Sequence, residues 1–126
     1  MPLTYQLIPA NSLVSCSGTG SVSFDELQDL QAKLNSDPGF TFKDQARMLW
    51  DFTAVTRFDH SVTKMAQVAE SWLVSAKTRR AVVAQPKTEA GKFMALWVLH
   101  RIARNDRHVQ NFTTVEQARQ WLDQAA

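Results

Sequence analysis

The sequence has one cysteine, Cys16, and no apolar run longer than the seven residues 93–99. A lone cysteine cannot form an internal disulfide, so a disulfide-stapled framework is excluded and a reducing cytoplasm is the expected compartment. Because a bilayer-spanning helix needs about 20 apolar residues, a membrane span is excluded as well. Residues 1–5 lack a basic region followed by an apolar core, so we expect no secretory signal.

Three common site signatures are also incomplete. Residues 17–21 contain two glycines but neither the lysine of a P-loop nor the third glycine of the dinucleotide fingerprint. His100 and His108 lie among arginines on different predicted elements, and no carboxylate or thiol pair completes a metal set. The aromatic residues do not interleave with the basic ones as they do in RNA-recognition sheets. We therefore expect no cofactor, no metal and no nucleic-acid partner.

What is present suffices for one domain over residues 1–126, since 44% of the 126 residues are hydrophobic. The net charge of +2 is unevenly distributed: residues 77–108 carry eight Lys or Arg against two Asp or Glu, a local charge of +6. Such a basic segment is typical of a solvated surface. An anionic partner, such as a phosphate or a lipid headgroup, is the alternative.

Hydrophobic periodicity predicts alternating strands and helices. The predicted strands comprise residues 4–8, 13–17, 48–52, 80–84 and 108–112, the first two as an antiparallel hairpin. The predicted helices comprise residues 24–34, 62–76, 88–104 and 115–122. The order β-β-α-β-α-β-α-β-α requires right-handed parallel crossovers. The predicted fold class is therefore α/β, with a mixed sheet of about five strands.

Three of these helices begin at residues that suit helix caps. Ser23 with Glu26 and Thr113 with Glu116 have the spacing of capping boxes, and Thr88 precedes the third helix. Residues 17–21, with their two glycines, are expected to break the chain before the first helix. The four tryptophans, one on each of four predicted elements, are interpreted as core anchors.

Residues 49–52 (LWDF), followed by residues 55–61 (VTRFDHS), resemble a strand, connection and helix start of the SpoIIAA-like group of the STAS (anti-sigma factor antagonist) superfamily. The resemblance runs from about Tyr5 to Leu122 and includes the element order. It implies a single STAS-like domain with a regulatory or binding role. Family members regulated by phosphorylation carry Asp-Ser-Ser or Asp-Ser-Thr followed by Gly, whereas this chain reads Asp59-His60-Ser61-Val62. The acceptor position is histidine, which argues against phosphoregulated signalling.

The predicted helix of residues 88–104 is apolar all the way round over residues 93–99, although a helix on one sheet face needs only a stripe. A second copy of the chain or a neighbouring helix could cover its far side, so a homodimer or a protein partner is expected. The SpoIIAA-like group also resembles the CRAL-TRIO lipid carriers in fold. An apolar ligand or a membrane surface is therefore the alternative, favoured by the flanking basic residues Lys87, Lys92, Arg101 and Arg104.

Candidate functional residues fall on two segments. Those at the end of the central strand and the following helix start are Asp51, Asp59, His60 and Ser61. Those on the third predicted helix are Lys92, Phe93, Leu96, Trp97 and Arg101. For Asp51, the simpler expectation is a hydrogen bond to a loop N–H.

Catalysis is not predicted. Asp59, His60 and Ser61 are the residue types of a hydrolytic triad, but consecutive side chains at a helix start diverge by about 100° and cannot form a relay. We therefore predict a non-enzymatic, cytoplasmic regulatory or binding module. The alternatives are a carrier or peripheral membrane binder of an apolar anionic ligand, and a phosphoregulated anti-sigma factor antagonist.

Overall fold

A computed structural model of the chain describes residues 3–42, 45–58, 79–103 and 108–124. The predicted helix of residues 62–76 lies outside the described residues, and so do the candidate site residues Asp59, His60 and Ser61. No helix within the described ranges has the length and apolarity that crossing a bilayer requires.

The described chain forms one mixed sheet. Its strands are β1 (Leu3–Ile8), β2 (Leu13–Val22), β3 (Arg47–Phe58), β4 (Arg80–Ala84) and β5 (Val109–Phe112), in the spatial order β1-β2-β3-β4-β5. The first two strands pair antiparallel, and every later pair is parallel. The described helices are α1 (Phe24–Asn35), α2 (Glu89–Ala103) and α3 (Val115–Asp123). The predicted α/β class and the mixed five-stranded sheet are confirmed.

Two strands are longer than the sequence predicts. Residues 17–21 do not break the chain but belong to β2, and residues 55–58 belong to β3 rather than to a connection. The two strands remain paired as far as Val22 and Phe58, because register shifts after Ser17 and Gly20 absorb the glycine segment. Val22 and Val55 are fully buried, so hydrophobic contact favours the extended pairing.

Helix starts follow the predicted caps with one correction. The Ser23 hydroxyl oxygen accepts a hydrogen bond from the N–H of Glu26 at 3.1 Å, and Thr88 accepts one from Gly91 at 2.9 Å. At α3, however, the cap is Thr114 rather than Thr113, and it accepts the N–H of Gln117 at 3.2 Å. The threonine pair is ambiguous in sequence because Gln117 completes the capping pattern from Thr114.

The sheet has hydrophobic clusters on both faces. On one face, side chains of α1 and α2 pack against alternate residues of the central strand, including Met48, Trp50 and Phe52. On the other face, Leu49 packs with Ala118 and Leu122 of α3. The central strand is therefore covered on both faces, as its apolar run predicts.

Three tryptophans and the cysteine belong to these clusters or pack against them. Trp50 and Trp97 are buried in the larger cluster and Trp121 packs at the margin of the smaller one, while Trp72 lies outside the described residues. Cys16 is fully buried in β2, and this burial raises the pKa of its thiol well above the usual value.

Candidate ligand-binding cleft

A cleft of about 830 Å³ follows β5 between α2 and α3. It lies at the carboxyl ends of β4 and β5, where ligands of open α/β sheets usually bind. Its apolar lining consists of Ala84, Pro86, Gly91, Ala95, Leu96, Phe112 and Trp121. Its polar lining consists of Lys92, Gln110, Asn111, Thr113, Gln117, Gln120 and Gln124.

Two aromatic rings, those of Phe112 and Trp121, line this cleft. The ring centroids of Phe112 and Trp121 are 5.7 Å apart, with the ring planes tilted by 49°. The Arg79 guanidinium carbon lies 4.3 Å from the centroid of the Trp121 ring, a cation–π distance. Because Arg79 also donates to the Trp121 carbonyl at 2.9 Å and the Gln124 carbonyl at 2.8 Å, its guanidinium is fixed against the indole ring.

A second arginine anchors the same helix end. Arg47 donates from Nη1 to the carbonyl of Leu122 at 2.6 Å and from Nη2 to the carbonyl of Asn11. Its Nη1 also lies 3.6 Å from the Asp123 carboxylate, which is too exposed for this ion pair to contribute much. Cationic side chains at the C-terminal end of a helix satisfy its last carbonyls and favour its dipole. The α3 wall is therefore fixed mainly at its C-terminal end.

Carboxamides dominate the polar lining. The hydroxyl of Thr113 donates to Oε1 of Gln117 at 3.3 Å, so one of these amides is already oriented. By contrast, Oδ1 of Asn111 is buried and has no hydrogen-bond partner among the described residues. A buried acceptor without a donor is costly, so a ligand N–H or O–H at this position would be stabilised.

The α2 wall begins with an unusually close backbone approach. A Cβ atom added at Gly91 would lie 1.8 Å from the carbonyl oxygen of Gln85, so glycine is required here. This contact brings the first turn of α2 against the end of β4, next to Pro86. The resulting wall presents Lys92, Ala95 and Leu96 to the cleft.

Comparisons with known proteins identify the fold. No family model and no curated protein matches the chain. A crystal structure of an uncharacterised protein of the DUF3478 family from Shewanella loihica PV-4, which has a SpoIIAA-like fold, matches with a TM-score of 0.60. The match covers 95% of this chain and 93% of that chain. The chain has a SpoIIAA-like fold. At 12% identity the likeness extends to the fold alone, which confirms the architecture that the sequence resemblance implies.

Within this SpoIIAA-like domain, only two of the candidate residues on α2 reach the cleft. Lys92 and Leu96 line it, whereas Phe93 packs against Phe58 with centroids 5.0 Å apart, and Trp97 is only 6% exposed. Arg101 follows Lys92 by nine residues, roughly 14 Å along the helix axis, and does not line the cleft. The structure therefore does not bring these five residues together in the cleft, because a helix turns them towards different surfaces.

Asp51 has a local partner in the SpoIIAA-like sheet. Its Oδ1 accepts hydrogen bonds from the N–H of Thr53 at 3.1 Å and from the Thr53 hydroxyl at 2.6 Å. The predicted partner was a loop N–H, but Thr53 belongs to the same strand. In register, Asp51 pairs with Val83 and Val83 pairs with Phe112, which separates Asp51 from the cleft strand by about 10 Å.

α2 also carries three exposed apolar side chains. Leu96, Leu99 and Ile102 are 65%, 62% and 49% exposed, and their spacing of three residues places them along one side of the helix. The all-round apolar character of this helix thus divides into a core side and an exposed stripe. Leu96 belongs to both the stripe and the cleft wall.

Sequence reasoning missed most of the cleft. Residues 110–124 supply eight of its lining side chains, but their glutamines and asparagine read as an ordinary polar surface. One usable signal was the position of Phe112 at the end of a predicted strand, since that edge is where α/β sheets bind ligands. The described residues hold no group of three or more His, Cys, Asp or Glu arranged to bind a metal.

Proposed function

We propose that this protein is a non-enzymatic binding module whose ligand occupies the cleft between α2 and α3. The observation that carries this proposal is the composition of the cleft. A volume of about 830 Å³ falls within the usual range of ligand pockets, and the lining combines apolar and aromatic side chains with polar groups that can orient a ligand.

The lining groups suit recognition better than catalysis. Among the described lining residues, the polar groups are carboxamides, one hydroxyl and the Lys92 ammonium. Carboxamides donate and accept hydrogen bonds but do not transfer protons near neutral pH. A general base or an activated nucleophile would need a carboxylate, imidazole or thiol beside the substrate. This composition supports a binding role.

The expected ligand has an apolar or aromatic body and polar groups that pair with amides. Lys92 favours an anionic group at its end of the cleft. We would screen fragments of two kinds, aromatic carboxylic acids and aromatic amides, by saturation-transfer NMR. Backbone shifts of Asn111, Phe112 and Gln117 would locate the binding.

A matched pair of variants on α2 tests the location. Ala95→Trp places an indole in the cleft, whereas Leu99→Trp adds the same group to the exposed stripe outside it. We expect fragment binding to be lost in Ala95→Trp and kept in Leu99→Trp. Absence of any ligand that binds in the cleft, or equal binding by both variants, would overturn the proposed function.

A second candidate function, peripheral membrane binding, is favoured by the exposed stripe of α2. Leu96, Leu99 and Ile102 could insert into a bilayer surface, and the exposed Lys87 and Lys92 lie on the same segment. Each such cation near an acidic surface contributes about 1 kcal/mol. We expect co-flotation with vesicles containing acidic lipid, weakened by salt and by the double variant Leu99→Gln/Ile102→Gln. Equal flotation with neutral vesicles, or none, would contradict it.

A second copy of the chain could cover the same stripe. In that case the protein sediments as a dimer and Leu99→Glu yields a monomer, because a charge would be desolvated in the interface. A stable monomer at high concentration would remove this alternative.

The third alternative, a phosphoregulated antagonist, depends on Asp59, His60 and Ser61, which lie outside the described residues.

A further inference from the structure

Among the residues that the structure describes, β5 is an outer strand of the sheet, and its outward edge lies in the cleft. In the described strand order, β5 has a neighbour on one side only, β4. Gln110, Asn111 and Phe112 of this strand all line the cleft. An exposed strand edge presents unpaired N–H and C=O groups and is a template for pairing with another chain.

The register shows which backbone groups face outward. The N–H of Arg80 donates to the carbonyl of His108 at 2.7 Å, and Arg80 is the register partner of Val109. In a parallel ladder, the N–H and C=O groups of every second residue of a strand bond to the same neighbouring strand. Because His108 bonds to β4, the N–H and C=O of Val109 point away from β4. Asn111 is in phase with Val109, so its N–H and C=O point away from β4 and towards the cleft.

The cleft of about 830 Å³ lies between the two helices beside the edge of β5. α2 packs on the face of the larger hydrophobic cluster and α3 on the face of the smaller one, so they flank the β5 edge from opposite sides. A strand paired with β5 would lie about 4.8 Å from it. Side chains of that strand would alternate between the α2 wall, with Leu96, and the α3 wall, with Trp121.

The polar groups and the charge of the cleft fit the same occupant. The buried Oδ1 of Asn111 could accept a peptide N–H, and the surrounding glutamines could bond to peptide amides. Lys92 is the one charged side chain among the described residues that line the cleft, which favours an anionic group beside it.

We propose that the cleft binds an extended peptide segment of a partner protein, added as a strand to β5, with an acidic group close to Lys92. This inference rests on the proposed function, because it names the ligand class of the same cleft. It differs from that function in requiring main-chain hydrogen bonds, which are the source of affinity when a peptide extends a sheet.

The probe is a phage-displayed library of random twelve-residue peptides, selected on the full chain and counter-selected on Ala95→Trp. An enriched peptide is then synthesised with a single N-methyl group at each position in turn. Strand addition predicts that affinity falls about tenfold or more at alternate positions and little at the positions between, since alternate N–H groups pair with β5.

Two protein variants test the edge itself. Asn111→Pro removes the outward N–H, a substitution that edge strands tolerate, and it should weaken the selected peptide about tenfold. Asn111→Ala keeps that N–H and loses only the carboxamide, so its effect should be smaller. Thermal unfolding of both variants checks that the fold is intact, and the N-methyl series tests the pairing without any change in the protein.

Several results would overturn the inference. These are a library that yields no peptide dependent on the cleft, an N-methyl series without alternation, or a dimer of the chain itself that Asn111→Pro dissociates. If fragments bind in the cleft but no peptide does, the peptide inference fails and the proposed function stands. If neither binds, both fail.

Discussion

The two faces of the sheet are held in different ways. The face that carries α1 and α2 has a large cluster of buried side chains, to which all five strands contribute. The face that carries α3 has a small cluster, and arginine-to-carbonyl hydrogen bonds complete its attachment. Burial of apolar area dominates stability, so the first face should determine global unfolding. The second face should open more easily, and it forms one wall of the cleft.

Removal of the Trp97 side chain should have the largest effect on stability, because it leaves a cavity in the larger hydrophobic cluster. Trp97→Ala should lower the free energy of unfolding by about 3–5 kcal/mol. The matched control is Leu96→Ala on the neighbouring, 65% exposed residue, where the change should stay within about 0.5 kcal/mol. Urea unfolding measures both, and equal losses would contradict the assignment of core and exposed sides on α2.

Leu122 tests the smaller face. This residue of α3 is fully buried against the sheet, and Leu122→Ala should lower stability by about 2–3 kcal/mol. Amide exchange should accelerate in α3 before it does so in α1, because the small cluster opens separately. Asp123→Ala, at the neighbouring exposed position, is the control. Uniform acceleration throughout the sheet would show that the two faces unfold as one unit.

Arg79 tests whether polar anchoring adds to the small cluster. Arg79→Met removes two hydrogen bonds, to the carbonyls of Trp121 in α3 and of Gln124 just after it, and the cation–π contact with Trp121. It should lower stability by about 1–2 kcal/mol. Fragment affinity for the cleft should fall at the same time, since the indole loses its fixed position. Arg119→Met, on the exposed side of α3, is the control, because it makes the same substitution at an exposed position. An unchanged tryptophan environment in Arg79→Met would contradict this role.

The smallest effect on stability is expected from a hydrogen bond on the sheet face with the larger cluster. The Tyr5 hydroxyl donates to Asp37 at 2.7 Å, which raises the pKa of Tyr5 to about 12 and, together with the Gly39 N–H, lowers the pKa of Asp37 below its usual value. The Asp37 contribution is therefore present above pH about 4 and is lost as pH falls through the lowered pKa. The Tyr5 contribution is present below pH about 10 and is lost as pH rises through about 12.

The difference in unfolding midpoint between wild type and Tyr5→Phe measures this contribution. It should be constant from about pH 5 to 9 and shrink at both extremes. Asp37→Asn should flatten the acid limb. A difference that grows on acidification would mean that the carboxylate is not the partner that matters.

How far the sequence predicts the molecule depends on the range of each interaction. β4 spans residues 80–84 as predicted, and α2 differs from its predicted bounds by one residue at each end, because periodicity and caps are local. The extension of β3 to Phe58 depends on pairing with β2, which local patterns do not encode. The cleft depends on which faces α2 and α3 occupy, so Lys92 and Leu96 were found while Asn111 and Trp121 were not.

The burial of Cys16 makes this chain a convenient host for site-directed probes. A thiol without solvent contact and with a raised pKa forms little thiolate, so alkylating and spin-labelling reagents should leave it unmodified in the folded protein. A cysteine introduced at Gln120, on the exposed rim of the cleft, would then be the reactive thiol of the molecule. One nitroxide or fluorophore at that position would report occupancy of the cleft without prior removal of the native cysteine.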